Sequence, residues 1–362
     1  MKIGILLPTN VYFAPYSRIY TDIYDEANIA YDIIYFDKRN LEEKAAHRFK
    51  ASLSSTDGML KRLWGYLRYA RFLCKVIKAE KYDRLIVCGP QIGIFLYPFL
   101  KRHFKGKFIL DYRDLSIEQR FMSIYEKLLG ISAHNVISSP GFKRCLPDGH
   151  DYLLSHNFSI ELLKEALNEE GEGPSKPKLH EGKIQVLTIG GIRDFEQNAA
   201  VMTALANNDK FETAYIGRGE EGADVKLREL AGKENIKNVF FSGFYKKEDE
   251  PGIIENATFL NIFYPRKMSH DTALSNRFYS SLIFRKPMIT TYDTIQGDYA
   301  ESYKIGIAIK DTKDLARVLT DYIENYDHQT YERNRKALLQ SFLNDYEIFK
   351  KAVIEFSTEP SI

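Results

Sequence analysis

A chain of 362 residues is longer than one typical domain and accommodates two α/β domains. Hydrophobic residues at 44% and charged residues at 28% are globular proportions and exclude disorder over most of the length. The formal net charge of +2 neither favours nor excludes nucleic acid, so the placement of charge carries more information than its sum.

In chain order, Lys2 to Leu7 reads as a first strand, followed by a polar, aromatic loop with Thr9, Asn10, Tyr12 and Tyr16. Asp32 to Phe36 is a second strand. Between Lys38 and Lys78 there are eleven Lys or Arg against three acids. Within that stretch, Leu60 to Lys78 reads as a helix with Leu60, Leu63, Trp64, Leu67, Cys74 and Ile77 on one side. Leu85 to Cys88, Phe108 to Leu110, Asn135 to Ser139 and Tyr152 to Ser155 follow as short apolar strands. Asn168 to Gly182 is a Glu-, Gly- and Pro-rich linker that continues neither periodicity. The alternation restarts with strands at Ile184 to Ile189, Thr213 to Ile216, Val239 to Phe241, Thr258 to Ile262 and Met288 to Thr291. Gln329 to Phe356 is helical in pattern.

Strands alternating with helices predict mainly parallel sheets covered on both faces. The expected domains are residues 1–167, a linker at 168–182, a second domain at 183–328, and a C-terminal helix, 329–362, packing back on the first domain. Two Rossmann-like domains facing each other across a cleft is the predicted α/β architecture, with ligands outside the carboxyl ends of the strands.

Cys74, Cys88 and Cys145 are widely spaced and lack a CxxC or Cys/His cluster, which argues for reduced thiols and against structural zinc. The opening apolar run before Pro8 is too short for a secretory signal. The longest apolar stretch, Leu85 to Leu100, is interrupted by Pro90, Gln91 and Pro98 and reads as strand, turn and helix. A cytoplasmic protein is expected. The first βα turn lacks G-x-G-x-x-G, and no P-loop or G-x-S-x-G elbow occurs, which disfavours dinucleotide, P-loop and serine-hydrolase chemistry.

Glycines instead gather at strand ends in the second half. Gly190-Gly191-Ile192-Arg193 precedes a helix, an arrangement suited to a diphosphate: glycine permits close approach, the helix start offers N–H groups, and Arg193 adds a cation. Gly217-Arg218-Gly219 repeats it at the next strand, and Gly243 follows the one after. Tight strand-to-helix turns also need glycine for backbone reasons alone, so both readings stand.

The run from Leu274 to Ile289, with Asn276, Arg277, Tyr279, Ser280 and Lys286-Pro287, resembles the N-K-x-x-E-x-x-x-x-x-K-P-x-I segment of GT-B-fold glycosyltransferases. The likeness is to group 4-like enzymes that build bacterial capsular and surface polysaccharides. Leu187 to Arg193, Tyr215 to Gly219 and Asn238 to Tyr245 resemble further segments of that family in the same order. Asp111-Tyr112-Arg113-Asp114 is similar to its D-x-R-D cleft motif and Ser155-His156-Asn157 to the stretch before its hinge. The resemblance covers about Phe108 to Ile309. It implies a nucleotide-diphosphate sugar donor, a UDP-sugar favoured, held by Gly191, Arg193, Gly217, Gly219, Gly243, Tyr245, Asn276, Arg277, Tyr279 and Ser280. It further implies a metal-independent, hexosyltransferase-type enzyme needing no cofactor, with a saccharide or polyprenyl-linked saccharide as acceptor. This chain has Ser280 where the family usually has a ribose-binding glutamate, and Arg277 where it has lysine, which puts donor binding in question.

Asp111, Arg113, Asp114 and His156 are the candidate catalytic residues. Their competing reading is an ion-pair cluster that satisfies itself at a strand end. Leu60 to Lys78 is either an amphipathic helix attracted to an anionic membrane surface or an ordinary helix packed on the sheet. No nucleic-acid module is present, and none is expected to bind. The expected function is glycosyl transfer in surface-polysaccharide assembly, in the cytoplasm or peripherally at the inner face of the cytoplasmic membrane. The alternatives are a non-catalytic partner of a glycosyltransferase and a nucleotide-sugar epimerase.

Overall fold

A computed structural model of the protein describes residues 1–53, 57–169 and 175–359, so 170–174 of the expected linker lie outside the described residues. Two compact units emerge: Met1–His156 with Asn344–Ile362, and Asn157–Leu343.

The first unit runs β1 (Lys2–Leu7), α1 (Ser17–Glu26), β2 (Ala30–Asp37), β3 (His47–Lys50), α2 (Met59–Glu80), β4 (Arg84–Cys88), α3 (Pro90–His103), β5 (Phe108–Tyr112), α4 (Met122–Leu129), β6 (His134–Ile137) and β7 (Tyr152–Leu154). Its strands form one sheet in the order β3-β2-β1-β4-β5-β6-β7, with every pair parallel. The second unit holds α5 (Ile160–Asn168), β8 (Ile184–Ile192), α6 (Phe195–Ala204), β9 (Phe211–Gly219), α7 (Ala223–Lys233), β10 (Val239–Ser242), α8 (Glu250–Asn256), β11 (Phe259–Ile262), α9 (Met268–Thr272), α10 (Asn276–Ile283), β12 (Met288–Thr291), α11 (Ile295–Ser302), β13 (Gly306–Ile309) and α12 (Leu315–Glu324). Its parallel sheet is ordered β10-β9-β8-β11-β12-β13. Helix α13 (His328–Thr358) begins in the second unit and ends in the first.

Buried runs explain the central strands. Ile3, Ile5, Leu85, Ile86, Ile109 and Leu110 lose essentially all solvent contact because helices cover both faces. The two strands the sequence reading lacks, β3 and β13, are both sheet edges. His47-Arg48-Phe49-Lys50 is too polar to read as a strand, and only pairing with β2 makes it one. The end of α13 joins the first unit's core through Phe349, Val353 and Phe356. Arg84 donates to the Glu359 carbonyl at 2.6 Å, its guanidinium lies over the Phe356 ring, and Ser357 donates to Tyr24.

Helix α2 divides its faces differently from the sequence expectation. Gly65, Tyr69, Ala70, Leu73, Val76 and Ile77 face inward, whereas Leu60, Leu63 and Trp64 are exposed. Among the described residues, no helix is long and apolar enough to cross a membrane.

Candidate functional site

In each sheet, successive strands extend to one side and then switch to the other. The switch falls between β1 and β4 in the first sheet and between β8 and β11 in the second, where open α/β sheets leave a crevice at the carboxyl ends.

The second crevice is built from paired glycines. Gly190 on β8 lies opposite Gly217 on β9, and both have positive φ, +90° and +138°. A Cβ on Gly217 would overlap the Gly190 carbonyl, so the two backbones meet more closely than any side chain allows. Gly219 is similarly confined by Asp224. Gly243, by contrast, has open space around it, and nothing in the backbone there requires glycine.

Arg277 sits at the fork between β8 and β11. Its Nε donates to the Ile189 carbonyl at 2.6 Å and its Nη2 to the Gly191 carbonyl at 2.8 Å. Nη1 reaches the Asn261 carbonyl at 3.1 Å and the Tyr264 hydroxyl at 3.3 Å. Four of the guanidinium's five N–H groups are therefore engaged by protein oxygens. The side chain is buried, and among the described residues no carboxylate pairs with it. Ser275 prepares this geometry by capping α10, its Oγ accepting from Phe278 N–H.

Under the end of β8 and the Arg193–Asp194 turn lies a buried amide network with no counterpart in the sequence reading. Asn261 donates to Thr188 and Asn198, while Asn198 donates to the carbonyls of Arg193 and Asp194. An asparagine inside the apolar strand Phe259–Ile262 was the available signal. Asp194 adopts a left-handed backbone at φ 52° and accepts from Lys267 Nζ at 2.9 Å.

The remaining candidates distribute unevenly. Arg193 is exposed and forms a 2.7 Å ion pair with Glu220, also exposed, beside Gly191. The Tyr245 hydroxyl borders Gly190 and donates to Glu250 at 2.7 Å; burial and that carboxylate push its pKa up. Asn276 accepts from Asn157 at 2.8 Å. Tyr279 packs in the core against Phe158 and Phe342 and is not brought to the crevice. Ser280 is half-buried and stands three residues beyond Arg277, on the same side of α10.

In the first unit, Asp111 is the penultimate residue of β5 and is fully buried. Arg113 grips both its oxygens, at 2.6 and 2.8 Å, and Tyr20 donates to Oδ2 at 2.7 Å. Arg113 also donates to the carbonyl and hydroxyl of Ser155 at 2.7 and 2.9 Å. Burial would lower the Arg113 pKa, but the charge of Asp111 outweighs it and holds the cation firmly. Asp114 is exposed. His156 is buried and faces Asp345 Oδ2 through Nε2 at 3.0 Å. A carboxylate only accepts, so Nε2 carries the proton. Burial, opposed by Asp345, lowers the imidazole pKa and favours this neutral form.

No family model and no curated protein matches the sequence. Solved structures do match. A sucrose-phosphate synthase from Thermosynechococcus elongatus superposes with a TM-score of 0.67 at 12% identity, over 97% of this chain and 98% of that one. An α,α-trehalose-phosphate synthase (UDP-forming) from Burkholderia xenovorans, in complex with glucose-6-phosphate, gives 0.67 at 8% identity over 99% and 100%. HepE of Anabaena, in complex with UDP and glucose, gives 0.63 at 11% identity over 96% and 98%. The chain is thus an α/β protein of two Rossmann-like domains. Its fold is the GT-B fold, shared with these structures over nearly the whole chain.

Proposed function

We propose that the protein transfers a sugar from a nucleotide-diphosphate sugar, a UDP-sugar by preference, to a saccharide acceptor. The observation that carries this reading is Arg277, a buried cation with no carboxylate partner among the described residues, at the switch point of a glycine-lined crevice. Such a site favours an anion. In this reading Arg277 shapes the crevice through the carbonyls it holds and offers its one remaining N–H. The exposed Arg193 exchanges Glu220 for a phosphate oxygen, since a surface ion pair is worth only about 0–1 kcal/mol. Stabilising the departing diphosphate this way requires no metal.

The first unit would bind the acceptor. Asp111 is sealed against Arg113 and Tyr20, so in this reading the polarising of an acceptor hydroxyl falls to the exposed Asp114. Calorimetry with UDP, GDP, TDP and CMP in EDTA-containing buffer tests the donor half. One diphosphate should bind saturably, with Arg193→Ala weakening it about tenfold, roughly 1.4 kcal/mol. If none binds, the donor reading falls. The occupied guanidinium of Arg277 and Ser280 in place of a carboxylate would then favour the non-catalytic partner reading.

The acceptor in this proposal is lipid-carried, as surface-polysaccharide assembly at the inner membrane face requires. Support comes from the start of α2, where Met59, Leu60, Leu63 and Trp64 are exposed beside Lys61 and Arg62. The full chain should sediment with vesicles containing anionic phosphatidylglycerol and not with pure phosphatidylcholine. Leu60→Asp with Trp64→Asp should abolish that sedimentation; unchanged sedimentation of the double variant would remove α2 from the membrane.

A further inference from the structure

We infer that a cavity in the first unit is an anion site and that the acceptor carries a phosphoryl group bound there. The cavity, about 330 Å³, is lined by Thr9, Phe13, Lys38, Arg39, Leu53, Arg62 and Tyr66. Its volume is that of a small-molecule pocket. Thr9 lies two residues beyond the end of β1, and Lys38 with Arg39 directly follows β2, so the cavity opens at the carboxyl ends of adjacent parallel strands. Arg62 approaches from the first turns of α2.

Three cations thus meet at one opening, and among the described residues none of them pairs with a carboxylate. Two buried or half-buried acids of this region, Asp37 and Glu43, are engaged elsewhere. Asp37 accepts from Arg48, at 2.6 Å from Nη2, and from Asn10 at 2.8 Å, which together pull its pKa down against the effect of burial. Glu43 takes the N–H groups of Val11 and Tyr12 at 2.9 and 2.6 Å. Lys38 instead donates to the Tyr66 hydroxyl at 2.8 Å, and the Arg39 guanidinium lies over the Phe13 ring.

The backbone bearing these cations is held from below. Asn10, fully buried, accepts from the N–H groups of both Lys38 and Arg39 through Oδ1, at 3.0 and 3.2 Å. The cations therefore project from a fixed turn. Lys38 and Arg39 on this turn and Arg62 on α2 are like charges that repel one another, and a phosphoryl group of charge near −2 relieves this better than a single carboxylate. Two sources share that chemistry: a sugar phosphate and a prenyl-linked diphosphate.

Calling the ligand an acceptor rests on the transferase reading; the anion site itself does not. The full chain would be titrated by calorimetry with glucose 6-phosphate, geranyl diphosphate and glucose, and separately with UDP. One phosphorylated probe should bind, glucose should not, and raising the salt concentration should weaken the binding. The stronger of the two probes identifies the source. Arg39→Ala with Arg62→Ala, both exposed positions, should weaken that probe at least tenfold and leave UDP affinity within twofold. Failure of both probes, or binding indifferent to the double variant, overturns the inference. Loss of UDP binding alone overturns the donor reading and leaves the anion site standing.

Discussion

Asp111→Asn is expected to lower the melting temperature by roughly 6–20 °C. The change is nearly isosteric, but it removes the charge that Arg113 neutralises in a site with almost no solvent contact. Breaking a buried ion pair from one side costs about 3–5 kcal/mol, because the remaining charge is left without compensation. At about 2–4 °C per kcal/mol for a domain of this size, the shift is large and easily read by calorimetry or circular dichroism. Tyr20→Phe removes only one hydrogen bond to the same carboxylate and should cost about 1–3 kcal/mol. If Asp111 instead waits unpaired for substrate, the asparagine variant will melt with the wild type. That result would overturn the structural role assigned to the cluster.

Arg277→Lys is expected to lose both stability and nucleotide affinity, despite keeping the charge. An ammonium group is a point donor and cannot span the carbonyls of Ile189, Gly191 and Asn261 as the planar guanidinium does. At least one buried carbonyl then lacks a donor, at about 1–3 kcal/mol each. With the fork between β8 and β11 loosened, the glycine-lined end of β8 is no longer held in place, and UDP affinity should fall more than tenfold. Were Arg277 a simple counter-charge for diphosphate, lysine would serve nearly as well. A lysine variant with unchanged UDP affinity and melting temperature would show that the bridge is dispensable.

The central strands were legible because parallel strands covered on both faces must be apolar throughout, as Ile3 to Leu7 and Leu85 to Cys88 are. The glycines Gly190 and Gly217 could likewise be read as a device near the strand ends, although both strands run on past them, to Ile192 and Gly219, and it is the close approach of the two backbones that requires glycine. Local sequence determined these features. It could not determine partners. Arg113 finds Ser155, and Arg277 finds Ile189, across spans of 42 and 88 residues. Whether a guanidinium is free for a ligand or occupied by carbonyls depends on those distant backbones. The same limit applies to α2, where periodicity suggested one apolar stripe but packing buried Tyr69 and Leu73 and left Leu60 and Trp64 outside. It applies again to β3, whose polar residues become a strand only because β2 offers them an open edge. The three cations of the first-unit cavity come from two separate elements, one a strand end and one a helix start, and only the folded chain brings them to one opening.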